Sequence, residues 1–236
     1  MYSGTSGFAY PAWSPRFYPA GLRPADHLLF YAGRLAACEL NNTFYQLPTE
    51  PKVRAWLAAT PDTFRFAVKA QRGGAMRALL RDPSGSVPWL TAPLGWFGTR
   101  LGSVLYRVPG EVRLDLERLE ALLANWPAGV PLTMEFQDPS WHVDEVFAVL
   151  RAAGAALCAT ELPEDADSPD LRLTGPFLYL RLRRHEYSRE DIEAWAARLI
   201  PFLQSGIDAF VFFRHDDEGR ATEYASALDR AVAELR

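Results

Sequence analysis

The residues in this sequence best suited to do chemistry lie in short apolar runs. Glu39 sits in "AACELNN", Lys69 in "FRFAVKA" and Glu135 in "LTMEFQ". A buried carboxylate or ammonium is costly unless it is paired, hydrogen-bonded or in contact with a ligand. Two carboxylates facing each other across a cavity can act as an acid–base pair, the arrangement glycosidases use. A lysine can form a Schiff base if desolvation and neighbouring cations lower its pKa. The preferred role for Lys69 is contact with a phosphate or carboxylate, because buried lysines are usually paired. These three are the candidate catalytic residues.

The elements that must position them read as β-rich runs at 2–7, 37–42, 64–70, 103–108, 132–137, 156–161, 177–183 and 209–215. Helix-like segments lie between most of them. "DLERLEALLANW" places Leu116, Leu119, Leu123 and Trp126 on one face, and "SREDIEAWAARLIPFL" opens with Ser188 and Asp191 in capping-box positions. Strand and helix alternating eight times predict an α/β fold, a single (β/α)8 TIM-type barrel over residues 1–236. The sixth interval, "LPEDADSPDLRLTGP", reads as an acidic loop, so the sixth helix is weak or missing. Long loops are expected after strands 1 and 3, at the C-terminal rim where barrel enzymes build their sites.

Side chains on a strand alternate between faces. With the apolar set turned toward the helices, Glu39, Asn41, Lys69, Arg107, Glu135, Gln137, Arg181 and Arg183 point into the barrel. A barrel of this size is filled by side chains, so charges there must neutralise one another or meet a ligand. A layered salt-bridge network would pair Glu39 with Lys69 and Glu135 with Arg181. The cations outnumber the carboxylates, and either an anionic ligand or nearby acids such as Asp138 or Asp216 would restore balance. Phe8, Tyr10, Trp13 and Tyr45 are candidates to stack on a sugar or base. An equal alternative is that such rings only cap the barrel mouth. His215, beside Asp216 and Asp217, is a further contact candidate, with a solvated loop as its plainer reading.

The blocks "GTSGFAYPAWSPRFYP", "CELNNTFYQLP", "FRFAVKAQR", "EFQDPSW", "FLYLRLRR" and "FVFFRHDDEG" resemble, in order and over nearly the whole chain, those of the YecE-like family, family 72 among domains of unknown function. The resemblance implies a TIM-type barrel and supplies no reaction. Glu39, Asn41, Tyr45, Lys69, Glu135, Trp141 and Arg181 match the family pattern, which adds Trp141 to the candidate ligand contacts, and Arg72, where the family also has an Arg, is a further one. Other positions depart from it. The family usually follows the "VKA" block with an Arg and then a Thr-His pair; here Arg72 is followed by Gly73, Gly74 and Ala75. Arg107 replaces a Gln, Gln137 and Asp138 replace an Arg and a His, Arg183 and Arg184 replace a His-Gly pair, and Arg214 and His215 stand at a pair of Asn. A divergent member with altered specificity, or one that has lost an activity, would show such changes.

Composition narrows the function classes. The chain is 49% apolar with a formal net charge of −4, which argues against a broad basic surface for duplex nucleic acid. Cys38 and Cys158 read as buried thiols in a reducing compartment. No cleavable leader and no membrane-length apolar run is evident, so a soluble cytoplasmic protein is expected. The four histidines show no ligand spacing, and no metal or cofactor is expected. "GTSG" is neither a nucleophile elbow nor a nucleotide fingerprint, although its N–H groups could meet a phosphate. Acids at 161, 164, 165, 167 and 170 read as a solvated loop face. The expected function is binding or transformation of a small anionic substrate, a phosphorylated sugar or nucleotide-like molecule. An enzyme of this kind would be a hydrolase, lyase or isomerase using carboxylate acid–base chemistry. The alternatives are a non-catalytic module for single-stranded nucleic acid or another anion, and a degenerate barrel with a structural charge network. The oligomeric state is not legible.

Overall fold

A computed structural model describes residues 1–163 and 167–236. Eight parallel strands close into a barrel in chain order. They are β1 (Tyr2–Ser6), β2 (Ala37–Leu40), β3 (Arg65–Lys69), β4 (Leu101–Val108), β5 (Leu132–Phe136), β6 (Ala156–Glu161), β7 (Phe177–Leu182) and β8 (Asp208–Phe213). The helices are α1 (His27–Ala32), α2 (Glu50–Ala58), α3 (Arg72–Leu80), α4 (Pro83–Thr91), α5 (Leu116–Ala124), α6 (Asp144–Ala153), α7 (Arg189–Gln204) and α8 (Arg220–Leu235). Two of them, α3 and α4, follow β3, and among the described residues none lies between β6 and β7. Among the described residues this agrees with the expectation of a weak or missing sixth helix. The long interval after β3 is folded into α3, α4 and a 3-10 segment at Ala92–Arg100, so it is not an irregular loop. Ser188 and Asp191 form the capping box that starts α7.

The alternation rule divides the core as expected. Cys38, Leu40, Phe66, Val68, Tyr106, Met134, Leu180 and Leu182 join the large apolar layer between strands and helices. Inside the barrel a second cluster holds Tyr2, Ala37, Ala67, Leu105, Cys158, Phe177, Tyr179, Phe210 and Phe212. Phe210 fills the base, where a Cβ on Gly102 would come within 2.6 Å of its ring. Aromatic filling at the base leaves the polar residues of the same parity at the C-terminal mouth. Both cysteines are free and buried, Cys38 on the helix side and Cys158 on the barrel side.

Hydrogen bonds used by the fold account for "GTSG". The Thr5 N–H donates to the Tyr31 hydroxyl at 2.8 Å, which in turn donates to the Ala37 carbonyl at 2.9 Å, so Tyr31 bridges β1 and β2. A Cβ at Gly4 would lie 1.9 Å from that carbonyl oxygen. The Gly7 N–H donates to the Glu39 carbonyl at 2.8 Å. The amides of Thr5 and Gly7 are thus committed to backbone geometry and are not free for a phosphate.

Candidate active site at the barrel mouth

Arg181, from β7, is the hub of the buried polar layer. Its Nη2 donates to Glu39 Oε1 at 2.9 Å, and its Nη1 donates to Glu135 Oε1 at 2.7 Å. All three side chains are almost wholly excluded from solvent. The planar guanidinium reaches both carboxylates, which a lysine's single ammonium would not do with the same geometry. Tyr179 donates from its hydroxyl to Glu39 Oε2 at 2.9 Å, and Thr160 donates to Glu135 Oε1 at 3.2 Å. Burial alone would push the Glu135 carboxyl up. The charge and hydrogen bond of Arg181, with Arg107 and Lys69 nearby, outweigh it and hold Glu135 below the ordinary carboxylate range. The expected pair Glu135–Arg181 is present. The expected pair Glu39–Lys69 is not: Glu39 is taken by Arg181 and Tyr179, because those two residues of β7 reach across the barrel to β2.

The remaining mouth cations are poorly neutralised. Lys69 is buried, with its ammonium 4.5 Å from the Phe44 ring centroid, and among the described residues that ammonium makes no hydrogen bond or ion pair. Desolvation and the Arg181 charge bring its pKa down to about 8, against weaker opposing pulls from Glu39 and Glu135. Arg107 pairs across the β4–β5 register with Glu135, at a long Nε–Oε2 distance of 3.8 Å. Glu135 Oε2 and Arg107 Nε are both buried without a hydrogen-bond partner. Arg183 is half-buried, and burial followed by Arg181 lowers its pKa. His215 is lowered by burial and then by Arg214 and Arg183. Asp138 and Asp216 do not supply the missing negative charge. Asp138 caps a short turn through the Ser140 N–H at 2.9 Å, and Asp216 caps α8 through the N–H groups of Arg220 and Ala221.

The rim aromatics separate into two groups. Trp13 is fully buried, with its indole N–H donating to the Asp216 carbonyl at 2.7 Å. Trp141 is also fully buried, stacked on Phe136 and donating to the Val112 carbonyl at 2.7 Å. Each indole ties its own loop to a neighbouring one and has no free face for a ligand. Phe8 packs into the outer core, and its carbonyl accepts from the Tyr18 hydroxyl. The expected stacking by Trp13 and the expected ligand contact by Trp141 are therefore corrected to loop packing, since large rings next to apolar neighbours bury themselves, while Phe8 is only partly buried. Tyr10 remains at the mouth, stacked on His215 with centroids 4.6 Å apart, with its hydroxyl donating to the Ser6 carbonyl. Burial pushes the Tyr10 phenol up to about 12. Tyr45 is 79% exposed and packs edge-on against Phe44. Asn41 is half-buried beside Tyr10, Gln137 is exposed past the end of β5, and Arg72 is exposed at the start of α3.

Sequence reasoning missed a second buried carboxylate cluster. Glu161, read as part of a solvated acidic run, is the fully buried last residue of β6. It accepts from Tyr187 at 2.7 Å and Ser168 at 2.9 Å and pairs with Arg184 at 3.1 Å. Arg184 also reaches Asp191 in the capping box of α7 at 3.5 Å. Residues 164 and 165 of that run lie outside the described residues. Strand alternation in "ALCATE" carried the signal, since it turns Thr160 inward and Glu161 toward the helix layer.

The protein-family model described as "Protein of unknown function DUF72" matches residues 2–236. The chain belongs to the DUF72 family. It is 22% identical to the UPF0759 protein YunF of Bacillus subtilis, over 87% of this chain and 86% of that protein. The crystal structure of a DUF72 family protein from Thermotoga maritima superposes with a TM-score of 0.84 at 25% identity, covering 98% of both chains. A DUF72 family protein from Enterococcus faecalis shares the fold at 18% identity, with a TM-score of 0.81 over 98% of this chain and 95% of that one.

Beside the mouth of this DUF72 barrel lies a cavity of about 350 Å³ whose lining includes Glu135, Gln137, His142, Phe147, Cys158 and Thr160. It occupies the side where, among the described residues, no helix lies between β6 and β7. There β5 and β6 pair at only Thr133–Ala156 and Met134–Leu157, so the wall parts above that point. Among the described residues no group of three or more His, Cys, Asp or Glu side chains is placed to hold a metal ion. No helix among them is long and apolar enough to cross a membrane. The chemistry on offer is therefore an ionised carboxylate, Glu135, fixed by arginine, and an amine, Lys69, that can exchange its proton near neutral pH.

Proposed function

We propose that the mouth binds, and as an enzyme transforms, a small organic anion such as a phosphorylated sugar or nucleotide-like molecule. One observation carries the reading: Arg181 engages both inward carboxylates, while Lys69 and Arg183 have no acidic partner within 4 Å among the described residues. Lys69, Arg183 and His215 are each lowered first by burial and then by neighbouring arginines, so each is a desolvated cation that an anion would help to keep charged. In this reading Lys69, Arg107 and Arg183 hold the anion. Tyr10, Asn41 and the exposed Tyr45 border it, with His215, Gln137 and Arg72 at the periphery. Glu39 and Glu135 keep Arg181 charged and in place, and the candidate proton-transfer group is Lys69.

A degenerate, purely structural network fits less well, because such a network would pair its cations. Single-stranded nucleic acid is not favoured, because Trp13 and Trp141 are unavailable for stacking. The test is a thermal-shift screen of sugar phosphates, nucleotides and small carboxylates against the protein and Lys69→Met. A ligand at ~100 times its Kd stabilises by about 2.7 kcal/mol, and the variant should lose that response. Stabilisation by oligonucleotides alone, or by no anion, would contradict the proposal.

A further inference from the structure

The basic residues of this chain are almost all arginine. Of 25 lysines and arginines, only Lys52 and Lys69 are lysine. Lys52 is exposed on α2, while Lys69 is buried at the C-terminal end of β3, in the mouth. Holding an anion is the task for which arginine is better suited, with its planar fork and permanent charge. A lysine has one capacity that arginine lacks: it can lose its proton and attack carbon. Of the two lysines Lys69 is the one at the mouth, and among the described residues it has no acidic partner within 4 Å.

We propose that Lys69 is a nucleophile that forms an imine with a substrate carrying both a carbonyl and an anionic group. This deepens the anion-binding reading and rests on it. Arg107 and Arg183 hold the anionic group, which places the carbonyl carbon at Lys69. The neutral amine forms a C–N bond as the carbonyl π bond breaks, and the carbonyl oxygen takes a proton to give a carbinolamine. Loss of water breaks the C–O bond and leaves an iminium. Amine, carbonyl and one proton become iminium and water, with no change of oxidation state. The iminium carries the same charge as the ammonium, so the electrostatics of Glu39, Glu135 and Arg181 are preserved. A pKa near 8 leaves a useful fraction of free amine at neutral pH, which an arginine would not provide.

Borohydride supplies hydride to an iminium and fixes it as a stable secondary amine. The protein is incubated with pyruvate, dihydroxyacetone phosphate or neutral dihydroxyacetone, reduced, digested and mapped by mass spectrometry. The expected result is modification of the Lys69 peptide by one or both anionic probes, at least ~10-fold above the neutral probe and above Lys52, and none at position 69 in Lys69→Arg. Which anionic probe is trapped distinguishes a carboxylate from a phosphate handle. The wild-type peptide map needs no variant, so a poorly folding Lys69→Arg would not obscure the outcome. Labelling of Lys52 or the N-terminus to the same extent as Lys69 would overturn the proposal. So would an absence of Lys69 adduct in a protein that small anions stabilise, and in that case the anion-binding reading would stand. No adduct together with no anion response would remove both.

Discussion

Two buried carboxylate clusters sit about one strand apart, and they differ in what surrounds them. Glu161 faces the helix layer, where Tyr187, Ser168 and Arg184 satisfy both of its oxygens and Arg184 continues to Asp191 on α7. That cluster joins β6 to α7. Glu39 and Glu135 face the barrel and share Arg181, but among the described residues Lys69 and Arg183 have no acidic partner within 4 Å and Glu135 Oε2 has no hydrogen-bond donor. A network that serves only folding gains by closing its hydrogen bonds. One left open at a barrel mouth has a cost in stability that a ligand can offset.

The largest way to break the comparison is Arg181→Met. It leaves Glu39 without its guanidinium and Glu135 with only the long Arg107 contact, and should lower stability by about 3–5 kcal/mol in urea unfolding. A loss below ~1 kcal/mol would show that the inward network relaxes easily. Arg184→Met strikes the outer cluster. Arg184 is partly exposed and Glu161 keeps two hydroxyl donors, so about 1–3 kcal/mol is expected. Its response to anionic ligands should be unchanged, and a lost response would join the two clusters functionally.

Lys69→Met should act in the opposite direction on stability. A lysine whose pKa falls from 10.5 to about 8 on folding opposes folding while it is charged. That penalty is fully present below pH ~8, shrinks as pH rises from about 8 to 10.5, and is gone above. Replacing it with methionine should therefore stabilise the ligand-free protein by about 1–3 kcal/mol at pH 7, since one pKa unit is about 1.4 kcal/mol, and should abolish the anion response. Destabilisation would show that Lys69 is structural. The smallest effect is expected of Tyr45→Ala, which should leave stability within ~0.5 kcal/mol and weaken the ligand only if its exposed ring covers the site.

The barrel itself was legible because period-2 alternation and the intervals between strands are local properties. Inward placement of Glu39, Lys69, Glu135 and Arg181 followed from the same rule. Partner choice did not, since Arg181 bridging Glu39 and Glu135 depends on how β7 faces β2 and β5 across the closed sheet. Trp13 and Trp141 were read as ligand surfaces because residue type alone does not tell whether an indole finds a carbonyl in another loop. Glu161 was grouped with its acidic neighbours in sequence, although its strand parity already set it apart from them.

The central claim is that the Lys69 ammonium at the mouth, with no acidic partner within 4 Å among the described residues, is open to an anionic ligand. With only two lysines in the chain, NMR of lysine side chains labelled with carbon-13 can resolve Lys69 from Lys52. The account predicts a Lys69 titration near pH 8 in the free protein, moving upward when a stabilising anion is added. A midpoint at the ordinary 10.5, unmoved by any anion, would contradict it.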